Sequence, residues 1–196
     1  MQFKNICATL VLATLAIGCV ASPVPNVVSL VARKKSSSSS KKMPAGTKLQ
    51  ATLKPVKEAD NKIEGNVEFS YKLDGTGIEV SSSLPSGEKY QGYSVRVFNG
   101  EKPEGAYCGM ASVYDPCKTM ESEKPYHCDA KNPGKTCIVG DLTGRFGKMA
   151  PAGEPAFLAY KDVGCDVQPD FTNRVVVVYD GKSTPVACGI VKHWKH

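Results

Sequence analysis

The sequence predicts an all-β domain, a Greek-key β-barrel or sandwich with long disulfide-stapled loops. Three observations carry that expectation. From Lys48 onward, short runs alternate apolar and polar residues, the pattern of half-buried strands. Turn clusters such as "LDGTG", "PSGEKYQG", "NGEKPEG" and "YDGKSTP" separate the runs. Finally, Cys108, Cys117, Cys128, Cys137, Cys165 and Cys188 all fall in this region, an even set of the kind that staples exported β domains.

The segments preceding that domain read differently. Residues 1–21 hold Lys4 and then "ICATLVLATLAIGCVA", an apolar run of 16 residues ending in small side chains. That is the form of a secretory signal peptide cleaved after Ala21. A membrane anchor needs roughly 20 apolar residues and different flanks. "GIVKHWKH" at the end is too polar for a lipid-anchor signal. The expectation is a secreted, extracellular chain with no transmembrane anchor. Residues 22–46 form a Ser/Lys-rich stretch that buries too little apolar surface to order itself, a linker or pro-segment. Its clusters Arg33-Lys34-Lys35 and Lys41-Lys42 are either processing sites or part of a solvated tail. Residues 47–196 are the expected barrel domain.

Within it the strands follow in order. "TKLQATLK", "KIEGNVEFSYKL" and "GIEVSSSL" alternate with period two. "YSVRVF" alternates in the same way, with Val95 facing the core. Between Phe98 and Phe157 the pattern stops, and four of the six cysteines lie in this stretch. Connections of this length are functional or stapled, and no stretch has convincing helical periodicity. "AFLAYK", "RVVVVY" and "PVACGIV" complete the set, "RVVVVY" having the continuous β-branched character of a central strand.

Charge and cysteine chemistry exclude several functions. Six of the 25 basic residues and none of the 19 acidic ones fall in residues 1–43, which leaves the rest balanced at 19 against 19. Net charge therefore gives no support for a nucleic-acid partner. The absence of any C-x-x-C pair argues for disulfides over a thiolate metal site, and spacing alone does not choose the pairing. No G-x-S-x-G occurs, and His127 has no evident catalytic partner.

"NKIEGNVEFSY", the run from Cys137 to Gly147 that reads C-x-V-G-D-L-T-G-x-x-G, and Ala187-Cys188-Gly189 together resemble the copper/zinc superoxide dismutase superfamily. The likeness is closest to its secreted, copper-only fungal cell-surface branch and spans roughly Lys48 to Val191. It implies a Greek-key barrel. It also implies disulfides Cys108–Cys188 and Cys128–Cys137, which leaves Cys117 with Cys165. The family's four copper histidines map onto Ser94 and Arg96 in "YSVRV", Val113 before Asp115-Pro116, and Tyr179. The guiding arginine maps onto Pro185. Asp141 is the retained family aspartate, read here as a turn carboxylate. Phe146 stands where the secreted branch often has a histidine that is not a copper ligand.

The loss does not depend on register. Only His127, His193 and His196 exist in the chain, and a copper centre cycling between oxidation states needs several imidazoles at fixed geometry. Arg96 would also place a positive charge where the cation sits. The expectation is a domain with no catalytic residue and no cofactor, working as a secreted binding protein. Its partner would be an extracellular protein, a cell-wall component or a small ligand, with an effector role open to it. The alternative is a superoxide dismutase recruiting copper through His127, His193, His196, Tyr179 and Asp141. A third reading gives His193 and His196 of "HWKH" a peripheral copper site, against a default of a frayed, solvated terminus.

Overall fold

The computed structural model describes residues 42–56, 59, 63–84, 93–100, 108, 112–121, 125–147 and 156–195. The chain divides into Met1–Ser38 and Ser39–His196, and everything below concerns the second unit. The expected signal peptide, the linker up to residue 41, and His196 lie outside the described residues.

Seven strands form one antiparallel sheet that curls into a partly closed barrel: β1 (Lys48–Pro55), β2 (Gly65–Tyr71), β3 (Gly77–Ser83), β4 (Ser94–Phe98), β5 (Ala156–Ala159), β6 (Val175–Tyr179) and β7 (Pro185–His193). Their spatial order, β4-β6-β7-β1-β2-β3-β5, combines a β1-β2-β3 meander with crossovers at both ends. Each strand sits inside, or within two residues of, a run legible in the sequence. The alternation of side chains explains this: Leu49, Ala51 and Leu53 of β1, Val67 and Phe69 of β2, and Val95 and Val97 of β4 are all buried, while their neighbours face outward.

One end of the core is closed by aromatic groups. Phe69 stacks on Phe171 at 4.4 Å between ring centroids, and Tyr114 meets Phe171 edge-on at 5.5 Å. The Tyr71 hydroxyl donates to the Pro169 carbonyl at 2.8 Å and accepts from the Phe171 amide at 3.3 Å. Burial raises the Tyr71 phenol well above its ordinary pKa.

β6 is buried on both faces, which accounts for its unbroken valines. Val176 and Val178 face the main core; Val175 and Val177 join Phe98 and Cys108 in a second cluster outside the barrel, backed by Val113, Tyr179 and Cys188. Three disulfides, Cys108–Cys188, Cys117–Cys165 and Cys128–Cys137, tie the long connection down, with Cα separations of 6.0, 5.5 and 4.4 Å.

Two details depart from the sequence reading. The stapled connection holds two short helices, α1 (Pro133–Thr136) and α2 (Leu142–Phe146), where no helix was expected. Neither is long enough to show a 3.6-residue period, and local groups make them: Pro133 in the first turn of α1 and Asp141 as the N-cap of α2. The C-terminus is also not frayed through Trp194. β7 runs to His193 opposite Leu49, and the Trp194 amide donates to the Lys48 carbonyl at 3.0 Å. Backbone pairing with β1 prevails over the polarity of the tail.

The outer edge of β4 is occupied by the connection. The Val95 amide donates to the Thr143 hydroxyl at 2.7 Å, Val97 donates to the Gly140 carbonyl at 2.7 Å, and Asn99 donates to the Ser112 carbonyl at 2.8 Å. The Tyr114 amide in turn donates to the Val97 carbonyl at 2.8 Å. Gly140 is required there, because a Cβ would strike the Val97 carbonyl oxygen.

Candidate functional site

The positions that the resemblance picks out lie on the outward face of β4 and β6 and on the segment against them. Ser94 is directly opposite Tyr179, and Arg96 is opposite Val177, two residues along the same face. The Arg96 guanidinium lies 5.8 Å from the centre of the Tyr179 ring. Val113 bridges to Phe98, whose ring is 6.4 Å from that of Tyr179. Pro185 opens β7 beside Tyr179, across an irregularity in the β6–β7 register.

Asp141 organises the centre of this surface. As the N-cap of α2 it accepts the Gly144 amide on Oδ1 at 3.1 Å. Its Oδ2 accepts the Tyr126 hydroxyl at 2.8 Å, and Tyr126 itself accepts the Ile138 amide at 3.2 Å. Arg96 Nε stands 3.6 Å from Asp141 Oδ1, with side-chain exposures of 46% and 7%. With Arg96 nearly half exposed, the pair contributes about 1 kcal/mol or less, yet it fixes where the positive charge sits. Burial raises the Tyr126 phenol, and the hydrogen bond to Asp141 adds to that shift. Burial also raises Tyr179, while Arg96 acts the other way.

Beneath Asp141, Arg145 is a buried cation spent on backbone. Its Nε donates to Ile138 O at 3.0 Å, Nη1 to Asp162 O at 3.1 Å and Nη2 to Cys137 O. This joins α2 to the segment after β5 and pairs the buried guanidinium with three backbone carbonyls.

These residues do not fit a copper ion. A guanidinium, a hydroxyl, an isopropyl group and a phenol with a raised pKa offer no imidazole, and the phenol resists becoming the phenolate that could ligate. The Arg96 guanidinium also stands in this space, beside Asp141 and over Tyr179. Of the alternative ligand set, His196 lies outside the described residues and the other members are not brought together. His127 is exposed next to Tyr126. His193 is at the far end of β7, eight residues from Pro185, which along a strand is about 27 Å from the Tyr179 end. Among the described residues no group of three or more His, Cys, Asp or Glu side chains is placed to hold a metal.

Tyr126, Thr143 and Arg145 went unread in the sequence. Thr143 and Arg145 lie inside the Cys137–Gly147 motif, and a basic residue within that glycine-rich run was the available signal for Arg145. Tyr126 gives no signal, since its partner is 15 residues away across a disulfide-closed turn.

No family model and no curated protein sequence matches the chain. Solved structures do. Superoxide dismutase 5 of Candida albicans in its Cu(II) form is 18% identical, with a TM-score of 0.55 over 78% of this chain and 95% of that one. A Glu-to-Gln variant of the same enzyme gives 18% identity and a TM-score of 0.54 over 78% and 94%. At this identity the likeness is one of fold.

Proposed function

We propose that this chain, built on the fold of a copper superoxide dismutase, works outside the cell by binding and not by redox turnover. The observation that carries the reading is Arg96. Its guanidinium stands over Tyr179 and beside Asp141, so a fixed charge holds the region where the resemblance puts the copper. A metal cation arriving there would meet repulsion and no imidazole. The remaining features favour a scaffold in an oxidising compartment: three disulfides, a buried Arg145 satisfied by backbone, and an N-terminal segment read as a signal peptide. An extracellular protein, a cell-wall component or a small ligand is the partner class such a scaffold serves.

Copper loading tests the proposal. The purified, oxidised chain is incubated with Cu(II), passed through a desalting column and analysed for metal, and its superoxide dismutation is then measured. The expected result is less than one retained copper per chain and no dismutation above that of the buffer. Stoichiometric copper with turnover would overturn the binding reading.

A further inference from the structure

Away from that site, the outward face of β1 and β7 forms a groove of ≈ 730 Å³. Gln50 pairs with Lys192 and Lys54 with Cys188, and Trp194 is bonded to Lys48 at the end of the row. Lys54, Lys192 and Lys195 line the groove together with Gln50, Thr52 and Trp194. Lys48 adds a fourth ammonium, 5.4 Å from the centre of the Trp194 ring. The four lysines, Thr52 and Trp194 are exposed, and no acidic side chain lines the groove among the described residues. The adjoining acid, Glu68 on β2, is engaged by the Gln50 amide at 3.1 Å.

We propose that this groove binds a strand of acidic polysaccharide. Lys48 and Lys54 are six residues apart on one strand face, a span of about 20 Å. Charges spaced at that interval along a concave strip match a linear polyanion. Gln50 and Thr52 lie between them and supply amide and hydroxyl groups for sugar hydroxyls. Trp194 gives a flat apolar face with a polar edge, suited to a pyranose ring. An anionic bilayer fits less well, because the surface is concave and Trp194 is the only large exposed apolar side chain on it among the described residues. A nucleic-acid strand wants successive aromatic platforms, and one is present. The proposal rests on the binding reading above and supplies its partner.

The oxidised full chain is titrated with polygalacturonate, with neutral dextran and with phosphatidylserine-containing vesicles. Polygalacturonate should bind, more weakly as NaCl rises, and dextran and vesicles should not. Lys54→Glu with Lys192→Glu should weaken binding by about tenfold or more, the pair Lys54→Gln/Lys192→Gln by less, and Trp194→Ala several-fold. Lys131→Glu with Lys135→Glu, at the exposed α1 turn, should change nothing. Unaltered affinity in the Lys54/Lys192 variants, an equal loss in the α1 variants, or preference for dextran or vesicles would each overturn the proposal. The two proposals fail separately. A chain that takes no copper and ignores polygalacturonate loses only this partner, whereas a chain that turns superoxide over loses the binding reading whatever the groove does.

Discussion

Tyr71 and Tyr114 bury their phenols and Tyr126 has its hydroxyl partly covered against Asp141; each hydrogen-bonds to a fixed acceptor or donor, and desolvation raises the pKa of all three. A phenol whose pKa is higher in the folded state favours folding while it is protonated. Its contribution is complete below the ordinary phenol value of about 10 and is lost as the pH climbs beyond it. The stability of the chain is therefore expected to be insensitive to these groups near neutrality and to fall from about pH 10 upward. Urea denaturation across that range checks this, and Tyr126→Phe should make the fall shallower. A stability that stays flat from pH 9 to 11.5 would refute it. What sequence supplied at this scale was an expectation from the resemblance about which positions would carry histidine. The absence of histidine at Ser94, Arg96, Val113 and Tyr179 could be read directly, whereas the Arg96–Asp141 pair could not, since it joins residues 45 positions apart through a fold.

At the scale of elements, the strands were legible because half-burial writes a period of two into the sequence. The helices were not, because four or five residues cannot display a helical period. β7 ran past its expected end for a different reason: an exposed strand tip needs only a neighbour's backbone, and β1 provides it at Lys48 and Leu49. The β1–β7 contact is also where a small change should be most costly. A Cβ on Gly189 would drive into the Thr52 carbonyl oxygen, which is backbone and cannot step aside cheaply. Gly189→Ala is expected to lower stability by about 1–3 kcal/mol, seen as a lower urea midpoint with an unchanged slope. A midpoint equal to that of the parent chain would show that the two strands part without cost.

Over the whole molecule, the three disulfides close loops of very different length. The sequence separations are 80 for Cys108–Cys188 and 9 for Cys128–Cys137. In the chain-entropy picture the first restricts the unfolded chain by about 4–5 kcal/mol and the second by about 3. Serine replacement of Cys108 and Cys188 should therefore destabilise the protein more than replacement of Cys128 and Cys137, by urea denaturation under non-reducing conditions. The reverse order would place the stabilisation in local packing. Net charge is silent about placement at this scale. Balanced totals gave no support for a nucleic-acid partner, and the β1–β7 pairing still gathers Lys48, Lys54, Lys192 and Lys195 on one side. A sum over residues carries no information about where they stand.

The four-valine strand β6 is shielded on one flank by β4 alone, so the state of that outermost strand matters to more than the site. Its outward amides at Val95, Val97 and Asn99 already have acceptors from the same chain, in the Thr143 hydroxyl and the Gly140 and Ser112 carbonyls. A second copy approaching from that flank finds no row of open donors on which to add a strand. The connection that supplies Thr143, Gly140 and Ser112 thus caps the β4 edge, and strand addition along it would first have to displace those bonds.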